Sequence, residues 1–159
     1  RFFLPVAGGV DVTQIEGHLA VSSVTVTLTH DARYALMGIA RAAIAASGTV
    51  VMEAAIMGLP AVILYRMSAL SYFVGRLLVD VPRFSLPNIL VGETFETELL
   101  QDEVQPERIA EAMERIIADG ADRAYVMDCL ARAVAKLGEP NAARRVAEKI
   151  LALARTSET

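Results

Sequence analysis

Residues 42–65 read AAIAASGTVVMEAAIMGLPAVILY, and the fold turns on how this stretch is divided. Taken whole, it is long and apolar enough to suggest a membrane span. Glu53 stands near its middle, however, where a carboxylate costs about 2.5–3.5 kcal/mol on insertion scales. Gly58-Leu59-Pro60 then breaks it into pieces too short to cross a bilayer. Divided at these points, it becomes a strand (42–46), a loop at Ser47-Gly48-Thr49, a helix (49–57) stopped by Gly58, and a second strand (60–65). Met52, Ala55 and Ile56 are the residues expected to point inward from that helix.

The same alternation extends upstream. Phe2 to Val6 reads as a buried strand followed by a Gly8-Gly9 turn. Asp11 or Thr13 is placed to cap a short helix over 12–20. The β-branched run 24–29 reads as a strand. Asp31 then stands as N-cap to a helix over 32–40, with Leu36, Met37 and Ala40 on one face. Strands alternating with helices over short connections predict a parallel sheet covered on both faces, a Rossmann-like doubly wound α/β domain.

Downstream the pattern turns helical. Ser68 or Ser71 starts an amphipathic helix through Leu78, and Pro87-Asn88-Ile89-Leu90 reads as a turn followed by a short extended run. Pro106 opens a helix with Ile109, Met113, Ile116 and Ile117 on its apolar face and Gly120 as its stop. Helices near 122–137 and 141–155 finish the chain, and only the last five residues read as disordered.

Composition narrows the function classes. The chain has 159 residues, enough for one core, and its net charge of −4 lacks the basic footprint of a nucleic-acid binder. A mean hydropathy of +0.43 is high for a soluble protein, so either both sheet faces are covered or apolar surface meets a partner. The lone Cys129 excludes an internal disulfide and reads as a small buried residue in a reducing compartment. No signal-peptide pattern opens the chain. It starts at Arg1 and passes at once into a strand-like run, the start expected of a fragment.

Ser47-Gly48-Thr49 is the first stretch that points to chemistry. It lies between a strand end and a helix start, where open parallel sheets bind ligands. Unpaired amides and the positive end of the helix dipole suit a phosphate there. Gly48 allows close backbone approach, and Ser47 and Thr49 add hydroxyls. Glu53, one helical turn beyond Thr49, is placed to accept hydrogen bonds from a ribose diol. The plainer alternative is that Ser47 or Thr49 only caps the helix and Glu53 is solvated.

The surrounding motifs add a resemblance. Ala-Ser-Gly-Thr-x-x-x-Glu-Ala-Ala (46–55), Gly-Leu-Pro-Ala-Val (58–62) and Tyr65-Arg66-Met67-Ser68 come in that order. Ser71-Tyr72, Arg76 to Val79, Val81-Pro82, Ser85-Leu86-Pro87-Asn88-Ile89-Leu90 and Glu98-Leu99-Leu100-Gln101 follow. Together they resemble the lipid-A-disaccharide synthase family over about 33–118 and more loosely on either side. The resemblance implies the C-terminal, donor-binding half of a two-domain GT-B glycosyltransferase: a nucleotide-sugar domain at 1–120 and C-terminal helices at 121–159. It implies transfer of 2,3-diacylglucosamine from UDP-2,3-diacylglucosamine to 2,3-diacylglucosamine 1-phosphate (lipid X), with UDP released. Ser47, Gly48 and Thr49 match the diphosphate loop, and Glu53 matches the ribose position. Tyr65, Arg66, Asn88, Glu98 and Gln101 match motif positions near the cleft. No metal or other cofactor is implied, and the base is expected in an N-terminal domain.

Three positions depart from the family pattern. Arg41 stands where an acid usually precedes the strand, Glu93 where Arg is common, and Thr97 where Pro often precedes Glu98. The family's lipid substrates imply a cytoplasmic protein peripheral to the inner membrane. The helix 68–79 would then meet lipid through Leu70, Phe73, Val74, Leu77 and Leu78, or else pack on its own domain. The C-terminal helices are candidates for docking on an absent domain or in a homodimer. His18 and His30 have no partners at metal-ligand spacing and read as surface residues. Another GT-B UDP-GlcNAc transferase or epimerase, and a non-catalytic nucleotide-binding domain, stand as alternatives.

Overall fold

A strand of aliphatic residues is stable when both its faces are covered, and Ala61-Val62-Ile63 meets that condition with all three side chains buried. The computed structural model describes residues 1–68, 82–139 and 141–156. In chain order these form β1 (Phe2–Pro5), α1 (Val12–Ala20), β2 (Val26–Thr29), α2 (Arg33–Ile39), β3 (Ala43–Ala46), α3 (Thr49–Ile56) and β4 (Ala61–Tyr65). Then come α4 (Leu86–Val91), β5 (Glu98–Leu100), a 3-10 turn (Gln101–Glu103), α5 (Pro106–Ile117), α6 (Ala121–Ala135) and α7 (Ala142–Thr156). The amphipathic helix expected from Ser68 or Ser71 through Leu78 falls on 69–81, outside the described residues.

Among the described residues every strand pairing is parallel, in two sheets of order β1–β2 and β3–β4–β5, and helices lie between successive strands, as the α/β reading requires. β1 pairs with β2, Phe2 opposite Val26. β4 lies between β3 and β5, with Ala43 opposite Ala61 and Ile63 opposite Glu98. Successive side chains of β4 point to opposite faces. Val62 joins Met52, Ala55, Leu99, Ala112, Ile116, Val126, Cys129, Leu130 and Ala133 in the larger cluster, while Ala61 and Ile63 pack with Val51 on the other. Met52 and Ala55 of α3 serve the first cluster and its Val51 the second, so a helix apolar nearly all round is buried on most of its surface.

The β1–β2 half is less covered. β1 was expected to be buried, yet Phe2, Phe3 and Leu4 are 56%, 45% and 38% exposed. Sequence apolarity gives a strand the capacity to be buried; burial itself needs a covering layer, and α1 and α2 bury no residue. Asp11 caps α1 as read, accepting from Thr13 N at 3.0 Å. Asp31 does not cap α2, whose N-cap position is Ala32 with no side-chain hydrogen bond. Leu36 and Met37 are half-buried while Ala40 is exposed.

Other boundaries moved for local reasons. Ile56, expected inward, is exposed, because α3 turns its Val51, Met52, Ala54 and Ala55 to the core instead. Ile117 likewise reaches solvent at the end of α5, whereas Ile116 is buried. Pro87-Asn88-Ile89-Leu90 is helical in α4: Pro is tolerated in a first turn, and Gly92, at φ 86°, ends the helix in the left-handed conformation. The strand after it comes later, at β5. α6 packs Val126, Cys129, Leu130 and Ala133 into the core, and α7 runs through Thr156, into the stretch expected to be disordered. Val146, Ile150, Leu151 and Leu153 of α7 face solvent. His18 and His30 are exposed. Among the described residues no helix is long and apolar enough to cross a membrane.

Leu130 is 1% exposed at the centre of the larger cluster. Leu130→Ala should lower unfolding stability by about 2–5 kcal/mol, read from the urea midpoint at unchanged slope.

Candidate functional site

A parallel strand delivers its chain to the carboxyl edge of the sheet, and there a turn must redirect it into the covering helix. After β3 that turn is Ser47-Gly48. Ser47 N donates to Leu64 O at 2.8 Å, which ties the loop to the end of β4. Gly48 occupies the N-cap position of α3, and no side chain caps the helix. Neither Ser47 nor Thr49 therefore does the capping that the plainer alternative required. Gly48 has φ 158°, and a Cβ built on it would meet nothing within 4 Å, so open space lies over the turn. Thr49 is exposed and Ser47 half-buried. Uncapped amides, the dipole's positive end and open space together suit an anion.

Glu53 lies one turn further along α3. It is not simply solvated: its Oε2 is 3.1 Å from Nη2 of Arg33, and its side chain is 27% exposed. The spacing is that of an ion pair, but Oε2 has no partner in hydrogen-bond geometry. Charge proximity, not an aligned N–H···O contact, holds the two together. Arg33, the first residue of α2, was not singled out from the sequence; nineteen intervening positions and a whole strand separate the two, and no local spacing announces their contact.

Tyr65, Arg66 and Gln101 gather at the same carboxyl edge. Tyr65 ends β4 opposite Leu100, and its ring packs against Phe84 with centroids 5.8 Å apart. Gln101 bridges the Met67 backbone, accepting from its N–H at 2.9 Å and donating to its carbonyl at 3.0 Å. Arg66 donates to the carbonyls of Gln101 (3.2 Å) and Val104 (3.4 Å), partners that orient its charge without neutralising it.

Asn88 and Glu98 are engaged differently. Asn88 is fully buried. Its Nδ2 donates to Glu96 O (2.9 Å) and Glu98 Oε1 (2.7 Å), and its Oδ1 accepts from Phe95 N and Glu96 N, each at 3.1 Å. That exhausts an amide's two donors and its acceptor lone pairs. The Glu98 carboxylate also accepts from Phe84 N (2.9 Å) and Ser85 N (3.0 Å). Both side chains hold the loop that seats Phe84 against Tyr65, so their contact with the edge is made through that loop.

Glu96, which sequence reasoning passed over, is 1% exposed. Its Oε1 accepts from Ala61 N at 2.9 Å, adding a side-chain rung beside the first residue of β4. Burial pushes its carboxyl up to about 8, against the lowering effect of the Ala61 hydrogen bond and with a smaller push from Glu98. Alternation Glu-Thr-Glu at 96–98 was the available signal, but whether Glu96 or Thr97 turns inward depends on the path of the chain into β5.

The departures from the family pattern are built into local contacts. Arg41 donates to Ile117 O at 2.9 Å and pairs with Asp119, fastening the start of β3 to the α5–α6 turn. Glu93 accepts from Arg132 (2.8 Å) and from the Tyr125 hydroxyl (2.7 Å), which hold its carboxyl below the usual range, the Arg132 hydrogen bond most of all. Thr97 contributes its carbonyl, accepting from Ile63 N at 2.8 Å.

Comparison with known proteins agrees with the resemblance. The family described as lipid-A-disaccharide synthetase matches residues 5–153. A lipid-A-disaccharide synthase of Myxococcus xanthus is 41% identical over 150 residues, covering 94% of this chain and 39% of that protein. One from Anaeromyxobacter dehalogenans is 39% identical, covering 98% of this chain and 41% of that protein. A third, from Syntrophus aciditrophicus, is 36% identical with 99% and 42% covered. The chain thus spans about two fifths of the length of these relatives.

Two outcomes follow for the buried polar groups. Asn88→Ala strands the Phe95 and Glu96 amides inside the protein and should cost about 3 kcal/mol in urea unfolding. For Glu96, the folded-state value near 8 lies above the ordinary 4.5, so its contribution to stability is complete below about pH 4.5 and lost as pH rises through about 8. Glu96→Gln, which cannot ionise, should flatten the fall in unfolding stability across that window, measured by urea titrations at several pH values.

Proposed function

Because the chain belongs to the lipid-A-disaccharide synthetase family, we propose that it is the donor-binding part of a glycosyltransferase and holds a UDP-sugar at the carboxyl edge of β3 and β4. The observation that carries this reading is the uncapped start of α3 beneath open space at Gly48, with Glu53 one turn beyond. The diphosphate sits against the Gly48 and Thr49 amides and the Ser47 and Thr49 hydroxyls, and Glu53 accepts from the ribose hydroxyls. Tyr65 and Arg66 flank the same edge; Gln101 steadies it through Met67, and Asn88 and Glu98 through the 84–85 loop.

The reaction is an inverting transfer of 2,3-diacylglucosamine from UDP-2,3-diacylglucosamine to lipid X, forming a disaccharide with loss of UDP. As the bond to the anomeric carbon breaks, negative charge grows on the departing diphosphate. The N-terminus of α3 meets that charge with fixed dipoles, and the guanidinium of Arg66 adds a positive field from the next strand, so no metal is required at the diphosphate. The base for the acceptor hydroxyl belongs to an N-terminal domain. Lipid substrates place the protein at the cytoplasmic face of the inner membrane, bound peripherally. The exposed apolar residues of α7, Val146, Ile150 and Leu153, supply a surface for a homodimer.

Calorimetric titration of the complete protein with UDP tests the cradle. Glu53→Ala should weaken UDP about tenfold or more, the range expected for hydrogen bonds to a charged group. Unchanged affinity in that variant would remove the ribose role.

A further inference from the structure

The pairing of Arg33 with Glu53 crosses the fold. Arg33 opens α2, in the connection after β2, whereas Glu53 lies on α3, in the connection after β3. β2 belongs to the β1–β2 sheet and β3 to the β3–β4–β5 sheet, and α/β folds of this kind bind ligands at the carboxyl ends of their strands. A guanidinium from one connection thus reaches a carboxylate assigned to the ligand on the other.

The two oxygens of Glu53 stand in different surroundings. Oε2, beside Arg33 Nη2 at 3.1 Å, is shut off from solvent and has no hydrogen-bond partner. The side chain as a whole keeps 27% of its surface exposed, so the exposure belongs to its remainder, on which Oε1 is the other acceptor. A sealed carboxylate oxygen with no compensating charge is costly. Arg33 supplies that charge. The guanidinium is itself steadied: Nη2 donates to the Tyr34 hydroxyl at 2.9 Å, and Cζ lies 4.7 Å from the centre of the Tyr34 ring. A held cation on one oxygen restricts the rotation of the carboxylate and directs the other oxygen outward.

We propose that Arg33 is a positioning residue for nucleotide recognition: it fixes Glu53 through Oε2 so that Oε1 is presented to the ribose hydroxyls. This rests on the reading that Glu53 meets the ribose. Arg33 thereby acts on the discrimination of ribose from deoxyribose and not on the diphosphate, which the α3 turn holds.

The test titrates the complete protein with UDP, 2′-deoxy-UDP and inorganic pyrophosphate. The variants are Arg33→Gln, Arg33→Lys, Glu53→Gln and the double Arg33→Gln/Glu53→Gln. Arg33→Gln should weaken UDP about fivefold, a loss typical of one charge-assisted contact, and erase the preference for UDP over 2′-deoxy-UDP. Pyrophosphate affinity should not change, which also reports that the variant is folded. Arg33→Lys should recover part of the preference, because a point charge keeps the attraction but not the planar fit. In the Glu53→Gln background, Arg33→Gln should add nothing. The inference is overturned if Arg33→Gln keeps the preference, if pyrophosphate weakens in parallel with UDP, or if the two single effects simply add. If Glu53→Gln itself leaves UDP binding intact, the ribose reading falls and this inference falls with it; if Glu53→Gln weakens UDP and Arg33→Gln does not, only the role of Arg33 is lost.

Discussion

A parallel strand cannot reach its neighbour through a tight turn; it must cross over a face of the sheet and come back. That constraint organises this protein. Each crossing leaves from a carboxyl end, so the turns after β3, β4 and β5 collect on one edge and bring Ser47, Tyr65, Arg66 and Gln101 there. The edge is polar because the helices begin there and their first amides lack partners within the helix. What elsewhere would need a cap is left open at Gly48, where open space lies over an uncapped α3. Binding capacity at this edge thus follows from the same backbone geometry that builds the sheet.

The opposite end of β5 is held by buried polar groups as well as by the apolar packing of Val91, Phe95 and Leu99. Asn88 joins α4 to the backbone of Phe95 and Glu96, and Glu98 joins Asn88 to the loop at Phe84 and Ser85. Such a network is worth having only when each member is satisfied, and Asn88 meets that standard while Glu96 leaves Oε2 without a partner. Burial is what raises its carboxyl value, and the Ala61 hydrogen bond offsets only part of it. The network fixes where Phe84 lies, and Phe84 packs on Tyr65, so interior polar order is passed to the functional edge by one aromatic contact.

The two parts of the chain differ in how they are stabilised. From β3 onward, helices on both faces close around β4 and leave Val62 and Ile63 with no exposed surface. In the β1–β2 part the strands pair correctly, yet their large side chains stay open and α1 and α2 bury none of theirs. Arg33 and Glu53 form an ion pair across this boundary. At half and a quarter exposure such a pair adds little to stability; its significance is directional.

Much was legible in residues 42–65 alone. Gly58-Leu59-Pro60 and Glu53 exclude a span, the apolar run 60–65 requires a doubly covered strand, and Ser47-Gly48-Thr49 must sit between strand and helix, because these are consequences of short-range sterics and side-chain period. Local chemistry also set the cap at Asp11 and the start of α5 at Pro106. It did not decide that Phe2 and Phe3 stay exposed, that Ile56 faces outward, or that Asn88 lies within a helix. Nor did it decide that Arg33 stands beside Glu53 or that Glu96, not Thr97, turns into the core. Each of these depends on which surface arrives opposite, and that is a property of strand register and helix packing between residues far apart in the chain.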